Sequence, residues 1–174
     1  MAAVIREPSV AGSFYPGNAG RLEADIDSYL EKVTLDRSGE DIVALVAPHA
    51  GYMCSGPVAA WAYRQVQGKS YDTVVVISPS HRAYFSFSSV FCGKGYRTPL
   101  GLVPVDIEAA KALAGCGADN VHSSPEGHLH TSEHALEIQL PFLQVVLGSF
   151  KLVPVVMGNQ GWENCLSLGG ALAD

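Results

Sequence analysis

Two unbroken runs of aliphatic and β-branched residues mark the chain, Ile42–Ala47 (IVALVA) and Thr73–Ile77 (TVVVI), and Phe150–Met157 (FKLVPVVM) reads as a further strand. Neither unbroken run alternates in the manner of a half-exposed strand, which predicts strands covered on both faces by helices. Pro48 closes the first run and Pro79 follows the second; proline cannot donate to a ladder and biases its predecessor away from the helical region, so the strands should end there. A different period lies outside the runs. Leu22, Ile26 and Leu30 form one stripe of a helix from about Arg21 to Val33, and Pro57 suits the first turn of a helix reading PVAAWAYRQV. Asp106 caps a helix through Ala114, and Thr131 or Ser132 caps another whose buried stripe is Leu136, Leu140 and Leu143. Ala83–Arg97 alternates with period two and reads as a half-buried strand or hairpin, before a turn at Thr98–Gly101. Gly158–Gly161 is a loop ahead of a last helix through Ala173. Strands alternating with helices predict an α/β fold. Three βα units that end on a helix look like an unfinished sheet, and the chain reads as part of a larger domain.

Composition narrows the function classes. A hydrophobic fraction of 48% over 174 residues is enough for one substantial core. A formal charge of −6 without clustered Lys and Arg argues against non-specific binding to nucleic acid or anionic membranes, leaving a small molecule or a protein as the expected partner. No apolar run nears the roughly 20 residues of a membrane span, and MAAVIREPSV lacks a signal-peptide core, so a cytoplasmic protein is expected. Cys54, Cys92, Cys116 and Cys165 show no C-x-x-C spacing, which predicts reduced thiols; Cys54, five residues after His49, is either a packing residue or a reactive thiol in the site loop.

The chemistry gathers at strand ends. His49 follows the first run and His81 the second, and in open α/β sheets ligands bind beyond the carboxyl ends of the strands. One crossover helix between them puts both histidines on the same edge. Two neutral imidazoles can share one ion at about 2.0–2.1 Å each, so their nitrogens are expected within about 5 Å. Glu133 or Glu137 could add a carboxylate, although acids in a first helical turn commonly serve the helix dipole. His122, His128 and His130 read as solvent-exposed loop residues; a structural zinc on His128, His130 and His134 matches no common finger spacing. The arm AGSFYPG (Ala11–Gly17) either packs its aromatics on the core or lines the pocket. There is no G-x-S-x-G elbow, and Gly51-x4-Gly56 runs into Pro57 and Val58 where a phosphate-binding loop needs Lys and Ser or Thr.

The arm AGSFYPG, APHAGY (Ala47–Tyr52), SPSH (Ser78–His81), YRTPLG (Tyr96–Gly101) and EHALEIQLPFLQ (Glu133–Gln144) together resemble the Memo (mediator of cell motility-like) family, whose bacterial and archaeal members are often called AmmeMemoRadiSam system protein B. The resemblance covers essentially the whole chain and roughly the N-terminal two thirds of the family's usual length. It implies a single Memo-like α/β domain over 1–174, a three-layer sandwich with a largely parallel or mixed central sheet, as in the class III extradiol ring-cleaving dioxygenases. It also implies a mononuclear iron or copper ion on His49 and His81, with a third ligand, a cysteine, beyond residue 174. His134 would be the acid or base, and Tyr52, Cys54 and Glu133 would line the substrate pocket. Two functions follow from it: a metal-dependent, dioxygenase-like oxidoreductase acting on a small molecule, or a non-enzymatic ligand- or peptide-binding adaptor that keeps the pocket. Functional association with radical SAM and AMMECR-type proteins is a further implication.

Overall fold

The computed structural model describes residues 4–35, 41–129 and 132–173. In chain order the elements are β1 (Ile5–Arg6), α1 (Ala19–Glu31), α2 (Tyr52–Arg64), β2 (Thr73–Pro79), β3 (Ser88–Val90), β4 (Gly95–Thr98), β5 (Gly101–Pro104), α3 (Ile107–Ala114), β6 (Val121–Ser123), α4 (Leu140–Leu147), β7 (Lys151–Met157) and α5 (Trp162–Ala173). The fold is α/β with two sheets. The larger has the order β2-β7-β3-β6 and is mixed: β2 and β7 run parallel from Thr73↔Lys151 to Pro79↔Met157, β3 is antiparallel to β7, and β6 is parallel to β3. The smaller has the order β1-β4-β5. No helix among the described residues is long and apolar enough to cross a membrane.

Helices α1, α2 and α4 pack on one another, while α3 lies on β3, β6 and β7. Leu22, Ile26 and Leu30 of α1 are buried as their spacing predicts, and Asn18 caps the helix by accepting the Arg21 N–H. Phe142 of α4 stacks on Tyr63 of α2 with ring centroids 5.0 Å apart and also meets Tyr52 at 5.0 Å. A buried phenol needs a polar partner. The Tyr63 hydroxyl donates to Gln139 Oε1 at 2.5 Å and the Tyr52 hydroxyl to the Ile138 carbonyl at 2.8 Å. Helix α2 can approach α1 this closely because residue 56 is glycine: a Cβ there would stand 2.6 Å from the Tyr29 ring.

Several elements differ from the expectations. Ile42–Ala47 forms no strand; Val43 and Val46 are 97% and 96% exposed. An aliphatic segment becomes a strand only where a neighbouring strand takes up its backbone groups, and among the described residues no strand does so; the Ile42 carbonyl is taken up by the Tyr71 hydroxyl. Strand β2 is covered on one face only, with Val76 and Ser78 buried and Val75 and Ile77 exposed. Helix α2 starts at Tyr52, capped by Gly51, so Pro57 sits inside it and forgoes one helical bond. The alternating stretch 83–97 holds two strands in different sheets, β3 and β4, because a local period does not record where the chain leaves a sheet. The helix expected from Thr131 or Ser132 begins only at Leu140, after a 3₁₀ turn at Glu137–Gln139; Thr131 lies outside the described residues. Pro141 explains that late start, since proline is accommodated in a first turn and not in an interior. Strands β5 and β6 are too short to leave a pattern.

His128 is not a solvent-exposed loop residue. The turn at Gly127 (φ +75°) drives it inward to 1% exposure, stacked on Phe91 with centroids 5.4 Å apart. The Tyr96 hydroxyl donates to Nδ1 at 2.6 Å, and Nε2–H donates to the Ser89 carbonyl at 2.9 Å, which fixes the neutral tautomer. Burial lowers its pKa to about 4, with nearby Arg6 acting in the same sense and the Ser89 bond and Glu133 opposing. Between pH 6.5 and 4 the unfolded chain therefore binds a proton that the folded chain refuses. The contribution is whole above pH 6.5 and is lost as pH falls towards 4, amounting to about 3 kcal/mol at most. Urea denaturation across that interval should show this acid loss in the native protein, and His128→Gln should flatten it.

Candidate functional site

His49 sits in the loop between the unpaired segment and α2, and His81 directly beyond β2. Their Nε2 atoms face each other at 3.1 Å, with ring centroids 5.0 Å apart. His134, on the turn ahead of α4, stands with its ring centroid 5.2 Å from that of His81 and 6.4 Å from that of His49. Phe14 from the N-terminal arm meets His134 edge-on at 4.7 Å. These four residues, with Pro48, Ala50 and Gly51, line a cavity of about 520 Å³.

A short stretch, residues 133–139, fixes the surrounding loops through its polar side chains. Glu133 Oε2 accepts the His81 N–H at 2.5 Å, while Oε1 accepts the N–H groups of His134 at 2.8 Å and Ala135 at 3.0 Å. Burial alone would raise the Glu133 pKa; the three backbone N–H groups outweigh it, and the pKa is lowered. Glu137 grips the arm, accepting the Val10 N–H at 3.1 Å and the Tyr15 hydroxyl at 2.6 Å through Oε1, and the Ser9 N–H and hydroxyl, each at 2.9 Å, through Oε2. Gln139 donates through Nε2 to the Pro48 carbonyl at 3.2 Å, next to His49. The arm is also tied to the His49 loop, the Tyr52 N–H donating to the Phe14 carbonyl at 2.7 Å.

The structure brings His49, His81 and His134 to one cavity. The arm divides its aromatics, Phe14 facing the cavity and Tyr15 buried in the core. Three expected pocket residues do not line it. The Tyr52 hydroxyl is turned into the core towards Ile138, Cys54 is exposed on α2, and the Glu133 carboxylate is taken up by backbone donors. The zinc arrangement with His128 and His134 does not form, because both nitrogens of His128 are bonded inside the core; His130 lies outside the described residues. Among the described residues no group of three or more His, Cys, Asp or Glu side chains is placed to hold a metal ion. Gln139 and Arg6 were not singled out in the sequence; the signal for Gln139 was a polar residue among apolar neighbours, and Arg6, beside Glu7, gave none.

Two nitrogens 3.1 Å apart have the separation of adjacent ligands on one ion at about 2.0–2.1 Å each. The same distance suits an N–H···N hydrogen bond between neutral rings. Burial, then His81 and His134, lower the His49 pKa against the opposing Glu133, so that ring favours the neutral form a ligand or acceptor needs.

The family model described as Memo-like protein matches residues 6–174. The chain is 34% identical over 175 residues to the MEMO1 family protein of Nitrosopumilus maritimus, covering 98% of this chain and 62% of that protein. It is 38% identical over 171 residues to the MEMO1 family protein of Methanosarcina mazei (98% and 60%), and 39% identical over 166 residues to that of Aeropyrum pernix (90% and 58%). The chain thus spans less than two thirds of the length of these relatives.

Replacing Glu133 by Gln turns an amide N–H towards backbone N–H groups that had an acceptor. We expect a loss of about 1–3 kcal/mol in urea denaturation and faster hydrogen exchange at the His81 amide, while distant amides in β7 keep their relative protection.

Proposed function

The chain belongs to the Memo-like family, and from that membership together with the facing imidazoles of His49 and His81 we propose a mononuclear iron or copper site that serves oxidation of a small molecule in the cytoplasm. The observation that carries this reading is the 3.1 Å approach of the two Nε2 atoms, one from a loop and one from a strand end, in the lining of an open cavity of about 520 Å³. His49 and His81 would hold the ion. When bound, it would supply redox chemistry and open positions for substrate and dioxygen, as in the extradiol dioxygenases that the family resembles.

The chain's own residues have separable tasks. His49, kept neutral by its surroundings, presents a lone pair without first losing a proton at neutral pH. His134 lies one ring away from the pair and its backbone N–H is fixed by Glu133, so it can give or take a proton at a substrate oxygen without ligating. Phe14 and Pro48 supply an apolar wall that orients a planar or aromatic substrate and displaces water. None of the four cysteines here is placed as a third ligand: Cys54, Cys116 and Cys165 are exposed, and Cys92 Sγ accepts from the Ser123 hydroxyl at 3.4 Å. In our reading the third ligand belongs to the part of the family polypeptide outside this match. By the same resemblance, radical SAM and AMMECR-type proteins are its functional associates.

Elemental analysis of anaerobically purified protein, combined with oxygen uptake, tests the reading. His49→Ala and His81→Ala should each lose the metal, whereas His134→Ala should retain it and slow turnover about 10²–10⁴-fold. Full metal retention in a His49→Ala/His81→Ala double variant would refute the assignment. Tight binding of a small molecule or peptide by metal-free protein would favour the adaptor reading.

A further inference from the structure

One buried amide ties the helical core to the loop that carries His49. Gln139 is 9% exposed, and both ends of its carboxamide are engaged. The Tyr63 hydroxyl donates to Oε1 at 2.5 Å, while Nε2 donates to the Pro48 carbonyl at 3.2 Å, with the Ala135 carbonyl a longer second acceptor at 3.4 Å. A carboxamide can present either end to a neighbour, and here Tyr63 removes the choice. Its ring is held by stacking on Phe142 at 5.0 Å and 12°, and its buried hydroxyl needs an acceptor. Turned the other way, the amide would set Oε1 against the Pro48 carbonyl oxygen and leave the phenol proton without a partner.

The carbonyl that Nε2 grips belongs to the peptide group that enters His49. Proline fixes its own φ through its ring, so a bond to its carbonyl sets the remaining torsion and with it the direction in which the His49 side chain leaves the backbone. Downstream, the Ser55 hydroxyl holds the Ala50 carbonyl at 2.7 Å; upstream, the next bond among the described residues is the one from Tyr71 to Ile42, at the far end of the segment. We infer that Gln139 is the positioning residue for His49, with Tyr63 orienting its amide, and that the two set the 3.1 Å approach of His49 to His81 through the backbone. His81 is independent of them, being carried by β2 and held by Glu133. The positioning stands on the two hydrogen bonds; its consequence for iron rests on the metal site proposed above. With the Pro48 carbonyl released, an ion must order His49 at the moment of binding, which weakens the complex.

Tyr63→Phe/Gln139→Leu tests the inference, because it removes donor and acceptor together, leaves no buried hydroxyl unpaired and should keep the urea midpoint close to native. In that variant, free of metal, the nuclear Overhauser contact between the His49 and His81 rings should fall severalfold, while the contact between His81 and His134 keeps its native intensity. Anaerobic titration with Fe(II) should show an affinity about 10–100-fold below native. Gln139→Met, which keeps the length of the side chain and loses its polar end, guards against a double variant that fails to fold and should show the same selective loss. A native His49–His81 contact in the folded variant overturns the inference, and so does an equal loss at both contacts, which would mean general loosening. Absence of Fe(II) binding by the native protein would count against the metal site alone, the ring contacts still deciding the positioning.

Discussion

Arg6 is a buried cation, and a buried cation must find acceptors or it unfolds what surrounds it. It meets that demand from widely separated parts of the chain. Nε donates to the His128 carbonyl at 2.5 Å and Nη2 to the Glu133 carbonyl at 2.6 Å and the Ser9 hydroxyl at 2.9 Å. Nη1 donates to the Glu7 carbonyl and pairs with Glu137 at 3.0 Å. The guanidinium fork therefore welds β1, the buried histidine turn and the stretch 133–139 into one unit. Glu137 in turn holds the arm that carries Phe14, so the cavity wall depends on a charge pair that never touches the cavity.

The same stretch explains how a site made of loops can be ordered. His49, His81 and Phe14 all lie outside regular elements, yet each is fastened from behind by a separate side chain between Glu133 and Gln139. The bonds go to backbone groups of the loops and leave the imidazole and phenyl rings to face the cavity. Tyr63 completes the arrangement from the core by donating to Gln139.

Much of this was legible in the sequence, for reasons that can be named. The stripe Leu22, Ile26 and Leu30, the cap at Asp106 and the strands at β2 and β7 follow from local spacing, and local spacing is what a sequence shows. His49 and His81 do meet, although the crossover geometry that led to this expectation assumed a strand that residues 42–47 do not form. What could not be read depends on partners distant in the chain. Ile42–Ala47 has the composition of a buried strand, but a strand is a relation to a neighbour. His128 in a stretch of serines, glycine and further histidines looks like a surface residue; only the meeting of Phe91, Tyr96 and Ser89 makes its burial favourable. Pro141 was legible as the start of α4 but concealed by its leucine-rich context, whereas Pro57, which suits a first turn, lies inside α2.

The two facing histidines are unequally founded. His81 stands on the end of a strand bonded along its length to β7, and its own N–H is locked by Glu133. His49 stands at the end of a segment with no ladder, fastened near the histidine through the Pro48 carbonyl and at its far end through Ile42. A pull on the pair is therefore borne by unequal supports: a ladder and a backbone lock beneath His81, and side-chain bonds to the Ile42 and Pro48 carbonyls, at the two ends of the segment, before His49. A substitution at Tyr71 or Gln139 would consequently reach the His49 ring without touching the His81 one.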